Sequence, residues 1–204
     1  MAQASTLVLI GGGKRPQSSL SHFVKKVKNN GTIYVLPWGT RYPNESFESI
    51  KEELIDAGAK NIKCFCTDSF SIRDKSSLIN AGGVYFPGGN QNKVMKRILK
   101  YRLSDILHKL YKSNIPIAGT SAGTAIQSNP MLNGSGSDTS QGLGLLKNFI
   151  VDQHFIVRSR EDRLLGALRN NPSFHGLGID EDMSAVITDR KKLLLLGLAK
   201  LFFI

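Results

Sequence analysis

Ile115-Pro116-Ile117-Ala118-Gly119-Thr120-Ser121-Ala122-Gly123 joins a short apolar run to a turn of small residues. The apolar run predicts a buried strand, and the two glycines permit a sharp turn into a helix without Cβ clashes. Such a turn projects the Ser121 hydroxyl beyond the sheet, while the next backbone N–H points toward a developing oxyanion. Ser121 is therefore a candidate nucleophile. The alternative is a glycine-rich loop that only makes a tight turn.

Apolar runs alternate with helical stretches along most of the chain. The predicted strands are 7–10, 33–36, 62–66, 84–86 and 115–118, and the predicted helices are 18–28, 45–57, 72–80, 91–112 and a short helix toward Gln127. Nearly continuous apolar strands joined by helices are typical of a mostly parallel sheet that is covered on both faces. We therefore predict an α/β three-layer sandwich that forms one domain over residues 1–204.

Three glycine-rich or polar turns directly follow predicted strands. They are Gly11-Gly12-Gly13, Gly88-Gly89-Asn90-Gln91 and the Ser121 turn. Because active sites gather at the carboxyl ends of parallel strands, we expect all three turns at one edge of the sheet. The first turn lacks the third glycine of a dinucleotide fingerprint and no phosphate-binding Gly-Lys-Ser/Thr motif is present, so we predict no nucleotide cofactor.

Two further segments stand out by composition. Residues 128–147 form the longest stretch rich in glycine, serine and asparagine, and we interpret them as a functional loop over the serine. Residues 190–204 end on Leu-Phe-Phe-Ile with almost no polar side chains. This apolar end predicts a terminal strand packed into the sheet or against a partner, such as a second copy in a homodimer.

The formal charge of +11 and the isoelectric point near 9.8 would attract anions of any kind. The lysines fall mainly on predicted helix surfaces without interleaved aromatic residues, which argues against nucleic-acid binding. The opening residues 1–6 carry no basic side chain, and the apolar run 7–10 is too short for a secretory leader or a membrane span. These features predict a cytoplasmic protein without a membrane partner.

The chain has two cysteines, Cys64 and Cys66. We place both on one predicted strand with their side chains on opposite faces, and we therefore predict two reduced, structural thiols that do not bridge. Two sulfurs without a second pair or a nearby histidine also make a poor zinc site. No metal is expected.

A serine hydroxyl needs a base, and the chain offers four histidines. His22 and His108 fall within lysine- and leucine-rich helices, and His175 directly precedes a strand. His154 differs because it ends a short apolar run and precedes three closely spaced arginines, Arg158, Arg160 and Arg163. Those guanidinium groups predict an anion clamp beside the candidate base. The alternative is a solvated basic turn.

Several carboxylates are candidates for the group that orients the histidine. They are Asp138, Asp152, Asp180 and Glu181. A strand that ends in Gly178-Ile179-Asp180-Glu181 would deliver a carboxylate to the same crevice as the other strand ends, which favours Asp180 and Glu181. The spacing alone leaves this choice open.

The motifs together resemble the cyanophycinase and aspartyl dipeptidase family of serine peptidases, whose fold is similar to class I glutamine amidotransferase domains. In the family's order these motifs are Gly88-Gly89-Asn90-Gln91, Gly119-Thr120-Ser121-Ala122-Gly123, Gly142-Leu143-Gly144-Leu145, Asp152-Gln153-His154-Phe155 with the three arginines, and Gly178-Ile179-Asp180-Glu181. The style of the histidine motif is nearer to cyanophycinase. Asn90 stands where that branch usually has aspartate, and Ser159 where it has glycine.

The resemblance implies a role for each matching residue. It implies Ser121 as nucleophile, His154 as base, Glu181 as the orienting acid, and backbone N–H groups near Gly89 and Ala122 as the oxyanion hole. It implies a substrate pocket lined by Gln91, Asp152, Gln153, Arg158, Arg160 and Arg163. The implied activity is hydrolysis of aspartyl or β-aspartyl peptide bonds, as in cyanophycin, a polymer with an aspartate backbone and arginine branches. The alternative is a catalytically degenerate protein of the same fold that binds anions or peptides.

Overall fold

Strands and helices alternate in the computed structural model, which describes residues 5–134, 136–188 and 192–196. The strands are β1 (Thr6–Ile10), β2 (Ile33–Val35), β3 (Ile62–Cys64), β4 (Gly83–Phe86), β5 (Ile117–Thr120), β6 (Met131–Leu132), β7 (Thr139–Ser140), β8 (Phe149–Gln153), β9 (His175–Ile179), β10 (Ser184–Thr188) and β11 (Lys192–Leu196). The helices are α1 (Gln17–Lys25), α2 (Pro43–Asp56), α3 (Ile72–Ile79), α4 (Gln91–Lys100), α5 (Ser104–Lys112), α6 (Ala122–Ala125) and α7 (Glu161–Arg169).

The central sheet has seven strands in the order β11-β10-β1-β5-β4-β2-β3. The five strands from β1 to β3 in this order run parallel to one another, whereas β10 is antiparallel to β1, and β11 to β10. The parallel register brings the carboxyl ends of β1, β5 and β4 to one edge, because Ile10 pairs with Thr120 and Phe86 pairs with Gly119. The predicted mostly parallel sheet is confirmed.

The two faces of the sheet are buried under different helices. Strand β1 shows the alternation, since Leu7 and Leu9 join one apolar cluster while Val8 and Ile10 join the other. Helices α3, α4 and α5 cover the first face, and α1 and α2 cover the second. Continuous burial of both faces explains why the strands are apolar throughout, and it gives the predicted three-layer sandwich.

A second, smaller sheet carries the residues around His154. Strands β8 and β9 pair in parallel, with Gln153 opposite Ile179. Helix α7 packs on this pair through Leu164 and Leu168, and Gly176 of β9 allows the close approach because a Cβ there would press on both leucines. Both strands of the small sheet therefore end side by side.

The predicted helix 91–112 is two helices, so that prediction was wrong in its length. The chain breaks at Arg102, which adopts φ 54°, and the Leu103 N–H donates to the Ile98 carbonyl. In a straight helix Leu103 would lie about 140° around the axis from Ile98. The break returns Leu103 to the buried face, where it is fully covered. The apolar spacing changes at this point, which is the signal in the sequence for two helices.

The cysteine prediction was also wrong. The structure pairs Cys64 with Cys66 as a disulfide, with Cα atoms 5.2 Å apart. The prediction placed the two side chains on opposite faces, but residues two apart on a strand point to the same face. In addition, β3 ends at Cys64, so Cys66 lies beyond the strand.

Two segments that stand out by composition contain further strands. The predicted loop 128–147 contains the β6–β7 hairpin, in which Met131 pairs with Ser140. Strand β11 pairs with β10 at one edge of the sheet, as predicted for the apolar end, and residues 197–204 lie outside the described part of the chain.

Within residues 5–134, 136–188 and 192–196, the helices are too short or too polar to cross a membrane.

Two leucines test the layered core. Leu9 is fully buried in the middle of β1, whereas Leu99 on α4 is 44% exposed. We expect Leu9→Ala to lower the free energy of unfolding by about 2–5 kcal/mol through lost burial and a cavity. Leu99→Ala should change it by less than about 1 kcal/mol. Urea denaturation followed by circular dichroism measures both, and similar losses in the two variants would contradict this packing.

Candidate active site

The three turns predicted to share one edge do so. The Ser121 N–H donates to the Ile10 carbonyl at 2.9 Å, which ties the serine turn to the end of β1. A Cβ added to Gly88 would lie 3.6 Å from the Ser121 Cβ. Gly12 lies directly against the His154 ring, and a Cβ there would overlap the ring atoms Cε1 and Nδ1. The turns after β1, β4 and β5 therefore enclose one site.

Ser121 adopts a backbone conformation that is rare for a residue with a side chain, with φ 50° and ψ −106°. Local hydrogen bonds hold it there, because the N–H groups of Thr124 and Ala125 both donate to the Ser121 carbonyl at 2.9 Å. The Thr124 hydroxyl also donates to the carbonyls of Ile10 and Gly119. A residue held in such a conformation by its surroundings is frequent at functional sites. The turn matches the strained strand-to-helix geometry that the sequence predicts.

His154 directly follows β8 and is the second side-chain-bearing residue of the site with a left-handed backbone, at φ 51°. Its N–H donates to the Gly11 carbonyl at 3.2 Å, which fastens the small sheet to the end of β1. Because β8 and β9 are parallel neighbours, Glu181, two residues beyond β9, arrives on the same side. The topology thus explains why these two distant residues meet.

Two short hydrogen bonds link the serine, the histidine and the glutamate. Ser121 Oγ lies 2.8 Å from His154 Nε2, and His154 Nδ1 lies 2.5 Å from Glu181 Oε1. With Nδ1–H donating to the carboxylate, Nε2 of the neutral ring is free to accept the hydroxyl proton. This is the arrangement in which an imidazole can act as a general base toward an alcohol.

The surroundings of His154 favour its neutral form. Burial is the largest influence on the pKa of His154 and lowers it, the hydrogen bond to Glu181 raises it, and the Arg158 guanidinium lowers it again. The resulting pKa lies below the ordinary value of 6.5. The imidazole is therefore ready to accept a proton at neutral pH.

The structure distinguishes the four candidate acids. Glu181 is the one bonded to the histidine ring. Asp180 instead accepts backbone N–H bonds from the residues after Phe155, Asp152 pairs with two arginines, and Asp138 is exposed in the β6–β7 hairpin. Of the four carboxylates, the one that contacts the ring is Glu181, and its role as the orienting acid stays a prediction.

The predicted oxyanion donors lie beside the serine in sequence and in space. Ala122 is the first residue of α6, and Gly89 follows the glycine that abuts Ser121. Gly89 has φ 130°, and a Cβ there would overlap the Gly39 carbonyl. The Asn90 N–H donates to the same carbonyl at 2.9 Å, which fixes this turn against the loop after β2. Donation from these N–H groups to an oxyanion stays a prediction.

Most of the predicted pocket residues bond within the protein. Asp152 is fully buried, and its Oδ1 accepts from Arg160 Nη1 at 3.1 Å and from Arg163 Nη1 at 2.5 Å. Arg163 is itself 7% exposed and also donates to the carbonyls of Asn133 and Gly136 in the hairpin. The anion that these two guanidinium groups hold in this structure is therefore the protein's own carboxylate.

The other three predicted pocket residues differ in exposure. Gln91 is buried, and its Nε2 donates to the Leu132 carbonyl at 2.9 Å. Gln153 is also buried, whereas Arg158 is exposed and follows His154 by four residues. Contact of any of them with a substrate stays a prediction.

The sequence did not predict two features of the site. Gly12, one of three consecutive glycines, is the surface on which the His154 ring rests. Asp182 Oδ1 accepts the Lys14 N–H at 2.5 Å. The run of three acidic residues at 180–182 was the available signal for the second. Among the described residues, no cluster of histidine, cysteine, aspartate and glutamate side chains is suited to a metal ion.

The chain is thus a mostly parallel α/β sandwich with a hydrogen-bonded serine, histidine and glutamate at the carboxyl edge of its sheet. Comparison with known protein families identifies the family. The model of peptidase family S51 matches residues 7–195, so the chain belongs to that family. The predicted family resemblance is confirmed.

Curated relatives of the chain are named cyanophycinase. The chain is 36% identical over 126 residues to one from Nostoc sp., which covers 57% of this chain and 42% of the relative. It is 32% identical over 171 residues to one from Geminocystis herdmanii, covering 76% and 62% respectively. The chain thus spans less than two thirds of the length of these two relatives.

Solved structures of peptidases share the fold. A peptidase from an acI-B1 Actinobacterium superposes with a TM-score of 0.75 at 18% identity, over 98% of this chain and 90% of that one. A putative peptidase E from Listeria monocytogenes gives a TM-score of 0.71 at 14% identity, over 96% of this chain and 100% of that one. At these identities the likeness extends to the architecture alone.

The buried charge cluster gives a stability prediction. Arg163→Leu leaves the buried Asp152 with one guanidinium partner fewer, and we expect the free energy of unfolding to fall by about 3 kcal/mol. Arg158→Leu removes an exposed charge and should change it by less than about 0.5 kcal/mol. Chemical denaturation measures both variants. Equal midpoints would show that the buried cluster does not stabilise the fold.

Proposed function

We propose that the chain is a serine-type peptidase that hydrolyses aspartyl or β-aspartyl peptide bonds through an acyl-enzyme. The observation that carries the proposal is the pair of hydrogen bonds from Ser121 Oγ to His154 and from His154 to Glu181. Membership of peptidase family S51 supports the same class of reaction.

In the first half-reaction, His154 Nε2 takes the Ser121 hydroxyl proton while Oγ attacks the carbonyl carbon of the scissile bond. Glu181 holds the imidazole in the tautomer that leaves Nε2 free, and it stabilises the imidazolium that forms. The imidazolium then gives its proton to the leaving amine, which breaks the C–N bond and leaves an acyl ester on Ser121. Water, deprotonated by His154, then attacks the ester carbon. The bond from the acyl carbon to Ser121 Oγ breaks, the imidazolium returns the proton to Oγ, and the carboxylic acid product is released.

The tetrahedral intermediate carries a negative oxygen that needs donors. The N–H groups of Gly89 and Ala122 are the proposed donors, because their turns flank the Ser121 side chain. Loss of one well-placed donor in such sites costs about 3–4 kcal/mol of transition-state stabilisation. The strained backbone at Ser121 and the positive φ of Gly89 would orient these groups before substrate binds.

The proposed substrate carries a carboxylate beside the scissile bond. Arg158 is exposed near His154, and the net charge of +11 attracts an anionic peptide to the chain. Arg160 and Arg163 lie beside Asp152, and their combined charge exceeds that of the single carboxylate they bond. The name cyanophycinase among relatives supports a cyanophycin-like polymer or an aspartyl dipeptide.

Ser121→Ala tests the nucleophile directly. We expect it to lower kcat for hydrolysis of a β-aspartyl-arginine polymer or of aspartyl dipeptides by about 10⁴-fold or more, because the acyl ester cannot form. Ser113→Ala, at an exposed serine after α5, is the matched control and should retain full activity. Release of arginine-containing dipeptides, followed by mass spectrometry, measures both. Undiminished hydrolysis in Ser121→Ala would remove the proposed nucleophile, and binding without turnover by the unmodified chain would favour the anion-binding alternative.

The pH profile tests the base. Activity requires neutral His154, so kcat/KM should fall on acidification with a midpoint below 6.5, the ordinary histidine value. Arg158→Gln removes a positive charge that lowers the pKa of His154, so the pKa should rise and the fall should begin at a higher pH. Arg73→Gln, an exposed arginine on α3, should leave the profile unchanged. A shift of the Arg158→Gln profile toward lower pH would contradict the assignment of His154 as base.

A further inference from the structure

Three consecutive acidic residues follow β9, and each holds a different part of the site. Glu181 bonds the ring of His154. Asp180 Oδ1 accepts the N–H groups of Ile156 and Val157 at 3.0 and 3.1 Å, so it holds the turn directly after the histidine. The mechanism described above uses Glu181 and leaves both aspartates without a role.

Asp182 holds the opposite side of the histidine. Its Oδ1 accepts the Lys14 N–H at 2.5 Å, and its own N–H donates to the Gly12 carbonyl at 3.0 Å. The next residue continues the contact, because the Gly11 N–H donates to the Met183 carbonyl at 3.0 Å. The turn after β1 is therefore fastened at three points to residues 182 and 183.

This fastened turn is the surface that the imidazole rests on. A Cβ at Gly12 would overlap the His154 ring, and a Cβ at Gly13 would overlap Asp182 Oδ1 and lie 3.0 Å from the Glu181 Cβ. The turn therefore lies so close to the ring and to the acidic residues that no side chain fits between them. Any movement of the turn would change the position of the ring relative to both of its hydrogen-bond partners.

From these contacts we propose that Asp180 and Asp182 are positioning residues, which clamp His154 between Ser121 and Glu181 by fixing the turns on its two sides. The inference rests on the proposed function for its effect on catalysis. The fixed position of the imidazole, however, does not depend on which substrate is hydrolysed.

The contacts of Asp180 and Asp182 stabilise backbone conformations that are otherwise unfavourable. His154 and Asp182 both have left-handed backbones, at φ 51° and φ 58°, and such conformations persist only where neighbouring contacts hold them. Each aspartate supplies acceptors for backbone N–H groups in these turns. Proton transfer from Ser121 depends on a ring held within a fraction of an ångström, so a loosened turn should slow the chemical step more than it weakens substrate binding.

The test uses alanine and asparagine at both positions in the full chain. Asp180→Ala and Asp182→Ala remove the acceptor, and we expect kcat to fall by up to about 100-fold while KM changes little. Asp180→Asn and Asp182→Asn keep an Oδ1 acceptor at the same place and should retain most of the rate. Asp74→Ala is the matched control, because the Asp74 carboxylate also accepts a backbone N–H, from Ser71 at 2.7 Å. Asp74 lies on α3, which follows β3, the strand four places along the sheet from β1.

A second measurement does not depend on activity. The His154 Nδ1–H proton, hydrogen-bonded to Glu181, should give a far-downfield proton NMR signal that disappears in His154→Gln. We expect this signal to broaden or vanish in the two alanine variants and to persist in the asparagine variants and in Asp74→Ala. Asp74→Ala should lower thermal stability about as much as the other alanine substitutions do, so stability alone does not produce the effect.

The two measurements separate the inference from the proposed function. If no aspartyl peptide is hydrolysed but the NMR signal behaves as described, the proposed function fails and the clamp stands. If hydrolysis occurs and both alanine variants keep the signal and the rate of Asp74→Ala, the clamp is overturned. Absence of the signal from the unmodified chain would also contradict a fixed imidazole.

Discussion

The hydrogen bond between Ser121 Oγ and His154 Nε2 depends on one anchor, the end of β1. The Ile10 carbonyl accepts the Ser121 N–H, and the next carbonyl, that of Gly11, accepts the His154 N–H. Two residues with left-handed backbones, delivered by different sheets, are thereby brought face to face. The apolar burial of β1 on both sides fixes this anchor, so the packing of the sandwich sets the geometry of the site.

Much of this arrangement could be predicted from the sequence. The apolar runs located the strands, and the glycines around Ser121 indicated the sharp turn because other side chains would clash there. The rule that parallel strands end at one edge correctly grouped the turn with Gly12 and Gly88. The pairing of His154 with Glu181 came from the resemblance to a family, since spacing alone could not choose among four carboxylates.

The rest depended on contacts that local patterns do not encode. The helix break at Arg102 follows from a change in the buried face. The bond between Cys64 and Cys66 was missed for another reason, because side chains two residues apart on a strand were placed on opposite faces. The pairing of Asp152 with the arginines required knowledge of which side chains are buried together. The single domain over 1–204, the cytoplasmic location and a homodimer stay predictions.

Labelling with a serine-directed fluorophosphonate shows whether one hydroxyl in this chain is activated. We expect one label, on the peptide that contains Ser121, with labelling abolished in Ser121→Ala and strongly slowed in His154→Gln. Labelling at another serine, or an unreactive Ser121 in the folded chain, would contradict this expectation.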